Sequence, residues 1–594
     1  MFALRHTLPQ LAVSLFALAT ATADPPTLFP ANHTQGVCPD TLLKLTFPST
    51  PALGIVGQVR IYDAADNRLV DTVDVSVPPY AASSAETNGG RATSAQIAAS
   101  ATAQSYTIGG AQGFHCYPVI ISGHVAIIYP HHHVLDYHKT YYVQIDPGLL
   151  FDGAGPFAGF NGTTSWVFST KDAAPGADSP SLDVAANGKG DFATVQGALD
   201  FIPAHNTKPV TINIEPGNYT EIVYFADKYN LTLLGADRER TVIGYANNEK
   251  FNSQPGANEG PGPHFYYRSS FMGNHVTDIK IVNLTLKNTT PKGGSQAEAL
   301  ILSGGRNIVT QVNLFSLQDT LQINDSAYVS DSYIEGDVDF MWGRGPVFFQ
   351  NCTLQALNKG YYTQIRNTAA NHGYVYVDCL FDGTPKSSGA FLSRIDPTRY
   401  PNSEVVLIDC TLGANISPAA WKLDNSTSAP DVHFWEYNST TITEHQPADV
   451  SQRAPFSMQL TLPADAATIA NYRDPAFVLG GWTPAMAPIF LTEAKFHHLE
   501  GNYTFAATAA GIPTPIYQWL RYRTPLKDSA TVTDATTTSL NLINPKPDDF
   551  GEFQLRATNS AGTTTSSSIG YLPGGRPVTS QALPPWMYLP GTRL

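Results

Sequence analysis

Two aspartates at a fixed spacing carry the clearest chemical signal in the sequence. Asp319 and Asp339 stand 20 positions apart, 339 minus 319. If they meet, the two carboxylates cannot both ionise cheaply. One then keeps its proton as an acid, while the other stays charged as a base or nucleophile. Such a pair can attack and protonate an ester without a metal, so we expect neither a metal nor a cofactor.

Three further polar residues can complete this site. Gln296, Gln318 and Arg394 lie before, beside and after the two aspartates. Amide side chains can donate hydrogen bonds to a developing oxyanion. A guanidinium can hold one carboxylate ionised and oriented. Together the five side chains predict an ester-hydrolysing centre.

The aspartates meet only if positions about 20 apart become neighbours, and a degenerate repeat predicts this. An Asn or Asp recurs beside small and apolar residues, and the last five steps are 30, 18, 20, 27 and 31 residues. The repeated residues are Asn230, Asn283, Asn313, Asp331, Asn351, Asp378 and Asp409. Repeats of this length indicate a solenoid, whose adjacent turns lie about 4.8 Å apart. We expect a right-handed parallel β-helix over residues 181–490, with Cys352, Cys379 and Cys410 in one buried column.

A chain of 594 residues is too long for a single hydrophobic core. The segments before and after the repeat also differ from it in their sequence pattern. Residues 24–171 contain short β-rich runs between turns, which predict a β-sandwich. Residues 172–180 form a linker rich in Asp, Ala, Pro and Gly. Residues 491–573 predict a second sandwich around a buried Trp519, and 574–594 stay unassigned. Both sandwiches resemble Ig-like modules, which we expect to bind carbohydrate or a cell surface. A bridge between Cys38 and Cys116 is left open.

Composition and the first residues limit the partners and the location. The formal charge is −14, from 35 basic and 49 acidic residues, which argues against nucleic acid as a partner. Residues 1–23 have a basic start, an apolar run and a small-residue cleavage site, which predict an export signal. The apolar run is too short to span a bilayer. We expect a secreted, periplasmic or extracellular protein with no transmembrane segment.

Five segments occur in an order that resembles the pectin methylesterase family. They are residues 188–196, 217–221, 296–300, 318–321 and 336–343. The resemblance implies a right-handed β-helix that hydrolyses the methyl esters of galacturonan in pectin, giving pectate and methanol. It also implies that Asp339 is the nucleophile and that Asp319 is the general acid and then the base. Gln318 and Gln296 would stabilise the tetrahedral intermediate, and Arg394 would pair with the nucleophile.

One departure from that family concerns sugar binding. In many members the arginine is followed by Pro and Trp, whereas Arg394 precedes Ile395 and Asp396. We therefore expect sugar contact from Trp342, Phe340 or Tyr362. The Gly- and Pro-rich stretch 250–268 is expected to form one wall of the cleft.

Three other functions remain open. A pectate lyase would need a Ca²⁺ cluster and a basic residue, and the five segments favour the esterase over it. A thioesterase-like branch of the same family fits the lost Pro-Trp pair, and a non-catalytic carbohydrate-binding solenoid fits if the aspartates lie far apart. Four histidines of the amino-terminal part predict a polar loop rather than a metal site. They are His131, His132, His133 and His138.

Overall fold

The computed structural model describes residues 24–76, 105–153, 155–252, 267–443, 445–499, 502–546, 549, 551–571 and 577–579. The predicted export signal and most of the tail 574–594 lie outside these ranges. The chain divides into two compact units. One joins Met1–Pro79 with Tyr117–Asp172, and the other joins Tyr80–Cys116 with Ala173–Leu594. None of the helices in the described ranges has the length and apolar character that a membrane-spanning segment needs.

The first unit is a β-sandwich, as predicted. Its main core lies around the buried Trp166 and Phe168. One sheet contains Thr27–Phe29, Leu43–Thr46, Val119–Ser122 and Val125–Ile128. The second contains Thr34–Val37, Gln58–Asp63, Arg68–Asp74, Thr140–Ile145 and Val167–Thr170. A small third sheet contains Ala52–Leu53, Leu150–Asp152 and Gly155–Pro156.

The predicted boundary of the amino-terminal domain is wrong for one segment. The strands Ser105–Ile108 and Ala111–His115 form a hairpin that belongs to the second unit. Phe114 of this hairpin is buried, and its ring centroid lies 4.4 Å from that of Tyr267 and 5.6 Å from that of Tyr224. Burial of these rings fixes the hairpin on the solenoid, so the domain 24–171 is interrupted.

The predicted parallel β-helix is confirmed, and its turns carry up to three strands each. The first sheet contains Ser181–Val184, Val210–Ile214, Leu231–Gly235, Lys280–Val282, Asn307–Thr310, Ala327–Ser330, Val347–Gln350, Tyr374–Val377, Glu404–Ile408, His433–Tyr437 and Met458–Gln459. The second contains Gly217–Thr220, Thr241–Tyr245, Thr285–Asn288, Asn313–Phe315, Leu380–Gly383, Thr411–Leu412 and Thr440–Thr441. The third contains Val223–Ala226, Phe271–Asn274, Leu300–Leu302, Leu321–Ile323, Phe391–Ile395 and Trp421–Leu423. The long strands Tyr333–Gly343 and Thr353–Ile365 run through both the second and the third sheet.

The repeated Asn and Asp residues mark one bend in each turn. Seven residues that directly follow a strand of the first sheet have φ between +48° and +59°, a left-handed conformation that Asn and Asp tolerate better than most residues. They are Asn283, Gln311, Asp331, Asn351, Asp378, Asp409 and Asn438. The predicted repeat residue Asn230 lies instead at a different bend, directly before the first-sheet strand Leu231–Gly235. Gln311, not the predicted Asn313, occupies the bend in its turn. The next residue in three of these turns is Cys352, Cys379 or Cys410, and all three are buried in the core as predicted.

One short helix packs at the amino-terminal end of the solenoid, and two others cover its first sheet. The helix Val195–Phe201 begins at Thr194, whose Oγ accepts from the backbone NH of Gly197 at 3.0 Å. The helices Ala466–Tyr472 and Pro475–Val478 pack their apolar residues on the first sheet. A 3₁₀ turn covers Pro385–Ser387.

A second sandwich follows without a break. It begins at Met486 rather than at the predicted 491, because its first strand runs over Met486–Leu499 and pairs with Asn502–Ile512. Trp519 is buried in its core, as predicted. One sheet contains Met486–Leu499, Asn502–Ile512, Val532–Thr533 and Ser539–Leu542. The other contains Ile516–Arg521, Thr524–Pro525, Gly551–Asn559, Gly562–Thr565, Ile569–Tyr571 and Pro577–Thr579.

Candidate active site

The structure brings Asp319 and Asp339 together on adjacent turns. Gln318 pairs with Val338, and Leu321 pairs with Met341. Both pairs have the same offset of 20 residues, so Asp319 lies beside Asp339 at about the 4.8 Å spacing of neighbouring strands. The backbone NH of Asp319 donates to the carbonyl of Val338 at 3.2 Å. The two aspartates are 8% and 7% exposed, so both carboxyl groups are largely removed from water.

Asp339 forms an ion pair with Arg394. Arg394, in the strand Phe391–Ile395, donates from Nε to Oδ1 at 2.9 Å and from Nη2 to Oδ2. Gln364 donates from Nε2 to Oδ2 at 3.2 Å. Burial raises the pKa of Asp339 above its ordinary value, and the hydrogen bonds and charge of Arg394 oppose that rise. The arrangement favours an oriented, ionised carboxylate at Asp339.

Asp319 has a different environment. Arg268 donates from Nη2 to Oδ2 of Asp319 at 3.1 Å. Burial raises the pKa of Asp319 well above its ordinary value, and the nearby carboxylates of Glu298 and Asp339 raise it further. Arg268 and Arg366 act in the opposite direction without cancelling the rise. Asp319 is therefore suited to hold a proton while Asp339 is charged.

The two predicted amides lie on neighbouring turns of the same face. Gln318 directly precedes Asp319, and its carbonyl accepts from the backbone NH of Ala297 at 3.1 Å. Gln296 precedes Ala297, and its Oε1 accepts from Ser295 at 2.8 Å. Both glutamines are half-buried. Gln318 is thus the direct neighbour of Asp319, and Gln296 lies on the preceding turn.

Two of the three aromatic residues predicted to contact sugar are in the core. Phe340 and Tyr362 are 0% exposed, and their ring centroids lie 5.1 Å apart. The Tyr362 hydroxyl accepts from Asn415 at 2.9 Å and donates to the Asp382 carbonyl. The prediction for both residues is wrong because the register shifts on either side of Val338 break the alternation of inward and outward side chains.

Trp342 points to the same face as the aspartates but is only 3% exposed. The guanidinium of Arg366 lies 4.7 Å from its ring centroid, and that of Arg268 lies 5.6 Å away. Both cations lie within the range of a cation–π contact. The indole therefore supports the two arginines that act on Asp319.

Sequence reasoning missed several residues of the site. Gln364 pairs with Trp342 across the sheet, and its Oε1 accepts from Arg366 Nε at 2.9 Å. Tyr361 is half-buried, and the guanidinium of Arg394 lies 4.5 Å from its ring centroid. Its hydroxyl accepts from Lys422 Nζ at 2.7 Å. The order Tyr361-Tyr362 gave no sequence signal for which ring faces outward.

The buried pair Arg268 and Glu298 was also missed. Arg268 ends the stretch 250–268 that we expected to form a wall, of which residues 253–266 lie outside the described ranges. Glu298 lies between two alanines in the segment 296–300, one of the five that resemble the pectin methylesterase family. A charged residue among small apolar ones is rarely buried unless it is paired. That signal pointed to a partner for Glu298 without identifying it.

The histidines of the amino-terminal sandwich bind separate carboxylates. His131 Nδ1 lies 2.8 Å from Asp71 Oδ1, and His138 Nδ1 lies 3.2 Å from Asp172 Oδ1. Among the described residues, no group of three or more His, Cys, Asp or Glu side chains could hold a metal ion. Cys38 and Cys116 are both buried as thiols rather than joined in a disulfide.

Comparison with known proteins agrees with this architecture. The Pectinesterase family model matches residues 181–472, and the Immunoglobulin I-set domain model matches residues 495–569. Pectinesterase 31 of Arabidopsis thaliana is 28% identical over 283 residues, covering 47% of this chain and 86% of that protein. Pectinesterase 2 of Olea europaea is 30% identical over 291 residues, covering 47% of this chain and 74% of that protein.

A solved structure, pectin methylesterase from carrot, aligns with a TM-score of 0.45 at 23% identity and covers 52% of this chain and 95% of that chain. The family model spans the solenoid that carries both aspartates and Arg394. The relative from Olea europaea is matched over most of its length. The chain belongs to the pectinesterase family.

Proposed function

We propose that this protein is a secreted pectin methylesterase that hydrolyses the methyl esters of galacturonan through an aspartate nucleophile. The observation that carries the proposal is the contrast between two neighbouring carboxyl groups. Asp339 is bound through both oxygens by Arg394. Asp319, on the adjacent turn, has a pKa raised well above its ordinary value by burial. One group is suited to attack and the other to donate a proton.

In the first half of the reaction, a carboxylate oxygen of Asp339 attacks the ester carbonyl carbon and forms a tetrahedral intermediate. Amide NH groups of Gln318 and Gln296 donate to its oxyanion. The bond to the methoxy group breaks as Asp319 transfers its proton to that oxygen. Methanol leaves, and the galacturonate acyl group stays on Asp339 as a mixed anhydride.

In the second half, Asp319 is ionised and removes a proton from water. The resulting hydroxide attacks the acyl carbon, and the bond to the Asp339 oxygen breaks. The free galacturonic acid group leaves and then ionises in solution, Asp339 regains its charge, and Asp319 keeps the proton that it took from water. The sum is one ester and one water converted to one carboxylic acid and one methanol. Arg394 holds the leaving Asp339 carboxylate in place for the next cycle.

Sugar contact is assigned to Tyr361 in place of the buried Phe340 and Tyr362. Tyr361 is half-buried beside Arg394, and its ring is stacked on Phe391 at 5.8 Å. An aromatic face near a catalytic carboxylate can pack against the apolar side of a sugar ring. Trp342 contributes at most its small exposed edge. Secretion is proposed from the composition of residues 1–23 alone.

The proposal is tested by methanol release from methylated pectin, with and without a chelator. Methanol release is expected to be unchanged by the chelator and abolished in Asp339→Asn. An acyl thioester offered in parallel tests the thioesterase-like alternative. Turnover of the thioester but not of pectin would overturn the substrate assignment. No turnover of either substrate by the folded protein would favour the non-catalytic carbohydrate-binding solenoid.

A further inference from the structure

Arg268 is shared unequally among three carboxylates. Its Nε donates to both oxygens of Glu298, at 3.0 and 2.9 Å, and its Nη2 donates to Glu298 Oε1 at 2.6 Å. Glu249 accepts one bond from Nη1 at 3.0 Å, and Asp319 accepts one from Nη2 at 3.1 Å. Glu298 is 0% exposed. The guanidinium charge is therefore neutralised mainly by Glu298 rather than by Asp319.

The nucleophile shows the opposite arrangement. Arg394 is directed at both oxygens of Asp339, and Asp424 accepts only one further bond from it, at 3.3 Å. A carboxylate with a two-pronged guanidinium partner is stabilised in its charged form. Among the residues that the structure describes, the hydrogen bond that Asp319 accepts from a guanidinium comes from Arg268, which also binds Glu298. The two aspartates thus differ in their arginine partners: Arg394 binds both oxygens of Asp339, whereas Arg268 binds one oxygen of Asp319.

The charges around Asp319 favour a neutral carboxyl group. Arg268 and Glu298 face it from the preceding turns, Asp339 faces it from the next turn, and Arg366 faces it from the turn beyond. Glu249 lies on the far side of Arg268 and contacts Nη1. Arg366 is half-buried, with its Nε bound to Gln364. The buried guanidinium of Arg268 is already bound to the carboxylate of Glu298. An ionised Asp319 would therefore place a further negative charge beside the same guanidinium, in a space removed from water.

We propose that Glu298 is a positioning residue of the esterase: by neutralising Arg268, it keeps the proton on Asp319 that the leaving methanol receives. The inference rests on the proposed function, in which Asp319 is the general acid. A buried Arg–Glu pair can also serve the fold alone. The two roles differ in the pH dependence of turnover, because only a role in proton storage moves the pH at which Asp319 ionises.

The test is Glu298→Gln in the full chain, with kcat/KM for methanol release measured against pH. The amide keeps the size of the side chain and removes its charge. Arg268 then becomes the main counter-charge of Asp319, which ionises at lower pH. The alkaline limb of the profile is expected to move down by about one pH unit or more, as an opposite charge at contact distance does. Activity on the acid side of that limb should change much less.

Glu249→Gln is the matched control, because Glu249 contacts Arg268 through Nη1, whereas Asp319 is contacted through Nη2. Like Glu298→Gln, it removes one negative charge that contacts Arg268, but this charge lies on the side of the guanidinium away from Asp319. Its alkaline limb should move less than that of Glu298→Gln. Equal shifts in the two variants, or no shift in Glu298→Gln, would overturn the inference.

Infrared spectroscopy locates the proton without relying on turnover or on the folding of Glu298→Gln. The carbonyl band of a protonated carboxyl group is compared between the unaltered protein and Asp319→Asn at neutral pH. Loss of the band in Asp319→Asn supports the inference. A band that persists there places the proton elsewhere, on Glu298 for example, and overturns it. If Asp319→Asn keeps its turnover, the proposed function itself fails, which is a separate outcome.

Discussion

Asp319 and Asp339 lie side by side on successive turns, and both have left-handed backbone, with φ of +67° and +47°. Asp and Asn adopt this conformation more readily than other residues except glycine. Substitution by asparagine therefore keeps the backbone at both positions, whereas most other substitutions would strain it. The proposed catalytic roles can thus be tested without disturbing the backbone at these two positions.

Asp339→Asn and Asp319→Asn are expected to lower methanol release at least about a thousandfold, because one removes the proposed nucleophile and the other the proposed proton donor. The thermal unfolding midpoint should stay close to that of the unaltered protein. A methanol assay and a thermal melt on the same preparations check both points. Near-normal turnover in either variant would remove that residue from the mechanism.

Arg394→Lys should reduce kcat/KM by about a hundredfold or more, because an ammonium cannot bind both oxygens of Asp339 as the guanidinium does. The pH profile should also change. Arg394 lowers the pKa of Asp339 against the effect of burial, so weakening it lets that pKa rise. A nucleophile must be ionised, and activity is lost as the pH falls through its pKa, so the acid limb should move to higher pH. An unmoved acid limb would contradict the pairing.

Tyr361 and Tyr362 are adjacent in the sequence and should respond differently to truncation. Tyr361→Ala removes a half-buried ring beside Arg394 and should raise KM for pectin while leaving the fold intact. Tyr362→Ala removes a fully buried ring and should cost about 3 to 5 kcal/mol of stability. Kinetics and urea unfolding of both variants separate the two effects. A raised KM with unchanged stability in Tyr362→Ala would restore its predicted contact with sugar.

The hairpin near the site should support catalysis through Asn252. The Asn252 side chain accepts from the backbone NH of His115 at 2.7 Å and donates to the His115 carbonyl at 3.0 Å. Its Nδ2 also donates to Asn247 Oδ1 at 2.8 Å. Asn247 in turn donates to the carbonyls of Tyr267 and Ser269, on either side of Arg268, at 2.6 and 2.8 Å.

Asn252→Ala leaves buried polar groups without partners and should cost about 1 to 3 kcal/mol. Methanol release should fall as well, because the backbone that carries Arg268 loses its support. Gln112→Ala on the exposed side of the same hairpin is the control and should be silent in both assays. A stable, fully active Asn252→Ala variant would show that the hairpin is irrelevant to the site.

Glu404 makes the stability of the fold depend on pH. It is buried, which raises its pKa, but hydrogen bonds from His372 and His433 outweigh this and lower its pKa to about 2. A carboxyl group with a depressed pKa stabilises the fold above its unfolded value and loses that contribution as the pH falls from about 4.5 to 2. The free energy of unfolding decreases by about 3 kcal/mol over this pH range.

In the unaltered protein, the urea midpoint of unfolding is expected to fall steeply between pH 5 and pH 3. In Glu404→Gln, the same midpoint should change much less over that range. Glu239→Gln, at an exposed position, is the control and should keep the steep fall. Parallel curves for Glu404→Gln and the unaltered protein would show that other carboxylates dominate acid unfolding.

Much of the fold could be predicted because a solenoid repeats the same local event. Each turn needs one left-handed bend, and Asn or Asp at that bend is visible in the chain as a recurring residue. Gln311 was missed because glutamine has no such preference, and the neighbouring Asn313 took its place in the prediction. The 20-residue step between Asp319 and Asp339 equals one turn, so their proximity also followed from the spacing.

By itself the sequence determined the repeat, the meeting of the two aspartates and the presence of Arg394, because these depend on residue type and on distance along one regular path. Only the tertiary structure decided that Phe340 and Tyr362 face the core, since register shifts near Val338 break the strand alternation. It also decided that Arg268 and Glu298 share one buried space with Asp319, and that a hairpin from residues 105–115 packs on Tyr267, the residue before Arg268. Contacts of this kind arise where separate segments are pressed against each other, and their partners are set by packing in space rather than by spacing in the chain.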